Sequence, residues 1–526
     1  MTITETRPES GEVAGRTAEE TAGPSGLYRL LGTSDHKTLG RLYIGFSLML
    51  LAGVFTMGAL LAVDAVDVEG NPVFGAAIGP ASSSYLLGTV FFALWPLLLG
   101  LATYVVPLQV GSSTIAYPRA AALALWTWVV TTGVYIASVV FGGAYGGADD
   151  EAVALSNVAF GALVLALLLG TLCVIVTIIS LRPRGMKLNR VPLFSFSFLA
   201  AGSLAMLTWP VVLANVALAQ VAQFGPDVVS ETYLSGIRWA LDVPAVYIVA
   251  LPALGIIGEV VPVFARRRQA HYGVMLTGLG LFGAFSFGAW AQPAFNIEVQ
   301  EQLLFAFMAF LVALPLLLLL GGWFGGTLRS GELWWRSPLL LALAAILLLC
   351  LGVLTGVLRV LNPVDMAPER AFLAQSSFVV TATAAAAVAG LIYWVPKIYG
   401  GLFAEWPARV VVVVFVLGSL LYTVPTGISA LLENNLSNPT GPLRALDAIV
   451  IVGGLVLTVA VAVSVGAVMN AARRKDGFIP DNLWRASTLE WAVGCPPPPG
   501  SFVWDLAPVT SEAPLVDFYE EEEASS

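Results

Sequence analysis

Long apolar runs, broken only by short polar stretches, recur along this chain near 40–63, 85–108, 118–143, 155–180, 192–222, 236–265, 272–292, 300–326, 334–361, 370–396, 406–432 and 445–470. A helix rises about 1.5 Å per residue, so roughly 20 residues cross a hydrocarbon core about 30 Å thick. Each run is long enough. Lipid admits only helices and closed barrels, which satisfy every backbone group internally, and barrel strands need only about 10 alternating residues. The pattern therefore predicts an all-α integral membrane protein, a bundle of about twelve transmembrane helices.

The polar breaks give that bundle an orientation. Arg29, Lys37 and Arg41 precede the first run, and Arg182, Arg184, Lys187 and Arg190 follow the fourth. Arg266, Arg267 and Arg268 follow the sixth, and Arg473, Arg474 and Lys475 follow the last. The intervening loops carry VDAVDVEG and GGADDEA instead. Basic loops stay on the cytoplasmic side, so both termini are expected there. Residues 1–25 are polar, lack an apolar signal-peptide core and read as a disordered cytoplasmic extension; 26–475 read as the membrane domain. Residues 476–526, with PPPPG at 496–500, read as an extended cytoplasmic strap ending in an acidic tail.

Composition narrows the function classes. Of 526 residues, 58% are hydrophobic and only 11% charged, against about 25% charged in soluble proteins, so the first partner is the lipid bilayer. The net charge of −9 and the tail DFYEEEEASS exclude a nucleic-acid partner. Three cysteines, Cys173, Cys350 and Cys495, form no C-x-x-C pair and suggest neither disulfide nor zinc nor covalent haem attachment.

Several stretches at the ends of the runs are more specific: TSDHKTLGRLY at 33–43, YVVPLQVGSSTIAYPR at 104–119, LRPRGMKLNRVPLFSFS at 181–197, VPAVYIVALPALGII at 243–257 and TLEWAVGCPPPPGSF at 488–502. With LTGVLRVLNP at 354–363 and YWVPKIYGG at 393–401 they resemble, in order, subunit I of the haem-copper oxidases, the cytochrome c oxidase type. The resemblance implies a twelve-helix subunit with a six-coordinate haem, a second haem facing a copper ion, and proton channels. It also implies subunit II-like and III-like partners in the plasma membrane of a prokaryote.

That family builds its metal sites from six histidines, because a neutral imidazole nitrogen binds haem iron and copper alike. This chain has two, His36 and His271, each beside the end of an apolar run. Aligned by the resemblance, Ser84, Gln375 and Ser377 take the haem-ligand positions. The family's His-Pro-Glu-Val-Tyr becomes VPAVY, with Val243 at a copper-ligand position, Ala245 at the proton-delivering glutamate and Tyr247 at the cross-linked tyrosine. Gln292 and Pro293 in AWAQPAF replace two further copper ligands. Thr114 replaces the aspartate of one proton channel, the eighth run lacks the lysine of the other, and TVPTGISALLENN at 423–435 offers no arginine for haem propionates.

These replacements lead to four expectations: no catalytic site, no haem or copper, a cavity closed by side chains or lipid, and service as a structural or assembly subunit. Two alternatives stand beside them. One is an active terminal oxidase with unusual ligands. The other is a transport path for a proton, ion or small apolar solute, for which Asp242 is the candidate carboxylate. Glu259 and Glu433, near the ends of runs, read as interfacial charges.

Overall fold

Within a hydrocarbon solvent an apolar run has one economical conformation, and each long run so folds here where it is described. The computed structural model describes residues 30–66, 73–145, 147–224, 236–241, 244–294, 307, 310–361, 363–438, 440–473, 479–503 and 506–517, with side chains except at 76, 224 and 287–294. Helices α1 (His36–Val66), α2 (Ile78–Gln109), α3 (Pro118–Val140), α4 (Asp150–Ser180), α5 (Leu193–Phe224) and α6 (Pro244–Phe264) form the first half. Helices α7 (Tyr272–Ala294), α8 (Ala313–Leu328), α9 (Ser337–Leu361), α10 (Pro368–Tyr399), α11 (Glu405–Asn435) and α12 (Thr440–Arg473) follow. Among the described residues no strand occurs, and 10 helices are long and apolar enough to cross a membrane. The expected seventh and eighth spans are represented by the shorter apolar stretches Tyr272–Ser286 and Ala313–Leu328, with 295–306 between α7 and α8 outside the described residues.

Burial divides the bundle into an inner and an outer layer. In α2, in the span that ends with α6, and in α10, 94% of the most apolar window is buried, against 33% in α3 and α12. Outer helices instead present apolar side chains outward, such as Leu123, Val140 and Val413 at 61%, 77% and 63% exposure. Such a surface is stable only against lipid. The chain is an integral, multi-pass membrane protein.

Small residues bring the inner helices together. Ala384–Ala387 lie buried on α10, and a Cβ on Gly390 would come within 2.9 Å of Ile256 Cγ2 on α6. The α1–α2 crossing is tighter: a Cβ on Gly100 would lie 2.6 Å from Tyr43 Cβ and 3.0 Å from the Ile44 nitrogen. Close backbone approach through small residues replaces the hydrophobic drive that lipid does not supply between helices.

Helix α2 is not regular throughout. Its Gly88–Leu94 segment is π-helical, with the Trp95 N–H donating to the Val90 carbonyl. Pro96 has no N–H for the preceding turn and its ring crowds that turn, which accounts for the wider winding just before it. The Phe91 carbonyl accepts a hydrogen bond from Trp128 Nε1 at 3.2 Å, so a backbone group at the irregular segment is satisfied from α3.

After α12 the chain returns across one end of the bundle. Lys37 Nζ donates to the carbonyls of Pro498 at 2.6 Å and Pro497 at 3.3 Å. Lys397 Nζ donates to the carbonyls of Asp481 at 2.8 Å and of Val493. Arg190 reaches the Val509 carbonyl at 2.9 Å and Arg268 pairs with Asp517 at 3.2 Å.

The Gly100 crossing yields a test. Gly100→Ala forces the α1 backbone away and is expected to cost about 1–3 kcal/mol. Gly45→Ala, where nothing lies within 4 Å, is expected to be neutral or stabilising. Thermal unfolding of the two variants in the same detergent measures the difference.

Candidate functional site

The inner layer leaves room at the end away from the C-terminal segment. There α1, α2, α10, α11 and α12 border a cleft of about 820 Å³, lined among others by Leu61, Tyr85, Phe372, Ser377, Tyr422 and Thr426. A smaller interior pocket of about 40 Å³ adjoins it through Tyr85, Phe372 and Ser377 and extends to Ala245 and Val246 on α6. The two tyrosines face each other across the cleft, hydroxyl to hydroxyl at 2.7 Å.

Charge is confined to the rim. Arg370, at the start of α10, lies 2.9 Å from Glu433 at the end of α11 and 3.1 Å from Asp447 near the start of α12. Arg238 pairs with Glu369 at 3.8 Å, though both are largely exposed. Topology explains the meeting: the start of α10, the end of α11 and the start of α12 share one side of the membrane. Of this network the sequence singles out Glu433, as an interfacial charge, and not Arg370 or Asp447, although the alternation of span ends is the available signal.

The aligned metal positions are placed as follows. Ser377 and Ala245 both border the small pocket, so the structure brings these two together. Ser377 Oγ donates to the Ala374 carbonyl of its own helix at 2.9 Å. Ser84 lies beside the cleft-lining Ser83 and Tyr85, with its hydroxyl 3.4 Å from Tyr135 Oη. Gln375 points elsewhere: it packs against α9, where a Cβ on Gly356 would sit 2.6 Å from its Nε2, and its buried Oε1 has no partner. Tyr247 is buried on α6, its ring edge-on to Phe282 of α7 at 5.8 Å. Asp242 and Val243 lie outside the described residues, as do the side chains of Gln292 and Pro293 at the end of α7.

Both histidines lie at the end bearing the C-terminal segment, His36 buried at the start of α1 beside Asp35 and His271 just before α7. No cluster of three or more histidine, cysteine or carboxylate side chains suited to a metal occurs among the described residues. Hydroxyl and amide oxygens are poor substitutes for imidazole on haem iron or copper. The side chains present at the aligned positions therefore do not fit ligation by imidazole, while the cleft has the volume of a cofactor-sized site.

At the opposite end of the bundle, Glu259 corrects its reading as an interfacial charge. It is only 6% exposed and accepts the Phe194 N–H at 3.0 Å. Its neighbour is Glu490 from the C-terminal segment, 1% exposed, whose Oε1 accepts from Gln109 Nε2 at 3.2 Å and Trp394 Nε1 at 3.4 Å. Gln109 in turn accepts from Ser195 Oγ at 2.6 Å.

The rim network generates one prediction. Arg370→Ala strands two carboxylates and is expected to cost about 2 kcal/mol. Adding Asp447→Asn should recover part of that loss, and the recovered part, read from thermal unfolding of both single variants and the double variant, is the pair's coupling.

Comparison with known proteins bears directly on this site. A family model described as "Cytochrome C and Quinol oxidase polypeptide I" matches residues 38–476. The probable cytochrome c oxidase subunit 1-beta of Nocardia farcinica is 28% identical over 99% of this chain and 93% of its own length. The probable cytochrome c oxidase subunit 1-alpha of Streptomyces avermitilis is 29% identical over 95% and 91%, and the cytochrome c oxidase subunit 1 of Corynebacterium efficiens 26% over 96% and 93%. Bacterial relatives and the apolar spans together place the chain in a prokaryotic plasma membrane. They also correct the expectation that no haem or copper is bound: this is a family of haem-copper oxidases, and its members' names point to those cofactors. Absence of imidazole at the aligned positions, the basis of that expectation, concerns how such groups could be held and is not evidence that they are absent. The match from Thr38 onward and the order of the motifs agree, and the chain belongs to the cytochrome c and quinol oxidase polypeptide I family.

Proposed function

We propose that this chain is a non-catalytic structural or assembly subunit of a respiratory-type membrane complex, packed beside subunit II-like and III-like proteins, with both termini in the cytoplasm. The observation that carries the reading is the location of its two imidazoles. His36 and His271 stand at one end of the bundle, beyond reach of the interior, where Ser84, Ala245, Gln375 and Ser377 occupy the aligned positions. Oxygen reduction needs a redox metal held by strong donors, and the serine hydroxyl at 377 is already spent on its own helix. The well-packed interior and the extensive apolar outer surface support a scaffold held in lipid against other membrane helices. This reading concerns catalysis and does not revive the expectation of a cofactor-free chain.

A second reading is favoured by specific observations. The names of the relatives and the volume of the cleft suit an active terminal oxidase with unorthodox ligands. One preparation separates the two. Purified in mild detergent, the chain is expected to carry additional hydrophobic subunits. Its oxygen consumption should equal that of the same complex lacking it. Iron and copper quantitation with a reduced-minus-oxidised spectrum completes the measurement. Oxygen turnover that follows this chain's haem content and falls at least tenfold in Ser377→Ala, at the aligned position that borders both cavities, would establish the oxidase instead.

A further inference from the structure

Two carboxyl groups buried side by side cannot both ionise cheaply, because each loses hydration and each repels the other. Glu259 at the end of α6 and Glu490 in the C-terminal segment are both buried at this end of the bundle, and one chain of contacts joins them: Phe194 donates to Glu259, and its neighbour Ser195 donates to the Gln109 that donates to Glu490. Among the described residues no cation is bonded to either. Lys397 on α10 lies over the Trp491 ring at 5.0 Å and gives its protons to the carbonyls of Asp481, Val493 and Gly494.

The hydrogen bonds around Glu490 are asymmetric. Its Oε1 takes two donors, from Gln109 on α2 and Trp394 on α10, whereas its Oε2 is buried with no hydrogen bond, the unpartnered Thr488 hydroxyl of its own segment being the neighbouring polar group. From α10, the hydroxyl of Tyr393 is buried without a partner, its ring 5.2 Å from that of Trp491, the residue after Glu490. From α7, Tyr272 feels Glu259 and Glu512 but donates to the Val191 carbonyl. From α5 come the backbone N–H groups at Leu193 and Phe194, toward Glu259, and the Ser195 hydroxyl, which bonds Gln109. An acceptor oxygen with no donor, next to a second carboxyl, is the arrangement a single bound proton satisfies.

We propose that Glu259 and Glu490 together form a proton-binding site, and that the one proton they hold latches the C-terminal segment to the bundle. Glu259 belongs to a membrane helix and Glu490 to the returning segment, so the site exists only while the segment is docked. Release separates the carboxyls and returns Glu490 to water.

The sign of the pH dependence follows. Burial holds the docked Glu490 carboxyl above its ordinary value of about 4.5. In the window between that value and the raised one, the docked state binds more protons than the released state. Docking is therefore strongest at low pH and weakens as pH rises across the window. It levels off once the docked pair has also lost its proton. One proton makes the docking constant fall by up to about tenfold per pH unit there.

Hydrogen exchange on the full chain in nanodiscs, read over 486–503 between about pH 6 and pH 9, tests this. Wild-type protection, corrected for the intrinsic pH dependence of exchange, should fall toward high pH. Glu490→Gln should abolish that fall, and Glu259→Gln should move its midpoint to lower pH, because one carboxyl then no longer faces another. Infrared difference spectra should show a protonated carboxylic acid in wild type near neutral pH that is absent in Glu490→Gln or in Glu259→Gln. A pH-independent protection in wild type overturns the proposal, as does a wild-type response retained in Glu490→Gln. Should Glu490→Gln fail to fold, absence of the infrared carboxylic acid in wild type is sufficient to overturn it.

Discussion

No water is available in the hydrocarbon layer to complete an unmade backbone hydrogen bond, and each such bond left open costs several kcal/mol. Every feature of this bundle answers to that constraint. Where Pro96 removes a donor from the helix, the winding widens over Gly88–Leu94 and an indole from α3 reaches the Phe91 carbonyl. Hydroxyls inside the membrane turn back to their own helices, as Thr381 does to Ser377, Thr423 to Ser419 and Ser464 to Ala460. A hydroxyl committed in this way neither binds a ligand nor relays a proton without first being released.

The same constraint pushes charge to the two ends of the bundle, where it does different work. At the cleft rim Arg370 ties three successive helices through two carboxylates. At the opposite end Lys37 and Lys397 secure the C-terminal segment through backbone carbonyls, a mode that depends on chain path and not on which side chains follow. Among the described residues, Glu259 and Glu490 break the pattern, being acidic, buried and unpaired with a cation. Helix packing holds α6 and α10 together with or without the segment, so the state of that pair affects what is docked on the bundle more than the bundle itself.

The helices were legible in the sequence because lipid makes length and apolarity nearly sufficient, and ten spans follow the runs closely. The family was legible from interfacial stretches such as YVVPLQVGSSTIAYPR, where turn geometry fixes residue identity more tightly than the interior does. What the sequence hid were pairings between distant span ends. Glu259 lies 231 positions from Glu490, and nothing local to either marks it as buried. Topology held the missing signal, since the ends of α2, α6 and α10 and the start of α5 must share one face. Gln375 shows a different limit. Alignment put it at a haem-ligand position, yet its side chain packs against Gly356 on α9, because one residue along a helix turns a side chain by about 100°.

That angular argument bears on what the cleft can bind. Ser376 and Ser377 face it while Gln375, one position earlier, faces away, so a ligand from α10 would have to come from 376 or 377. Both hydroxyls already donate within the helix, to Leu373 and Ala374. Across the cleft stands the Tyr85–Tyr422 pair, in which one hydroxyl donates to the other and the second keeps its own O–H. A group seated there would meet weak oxygen acceptors, apolar walls and an ion network at the mouth whose cation, Arg370, is already neutralised by two carboxylates. Such surroundings hold a large, mainly apolar molecule by shape, through its area and not its donor atoms. A family cofactor held in this cleft would therefore rest on packing against side chains such as Tyr85, Phe372 and Tyr422, and Ser376 and Ser377 would offer it only weak oxygen donors.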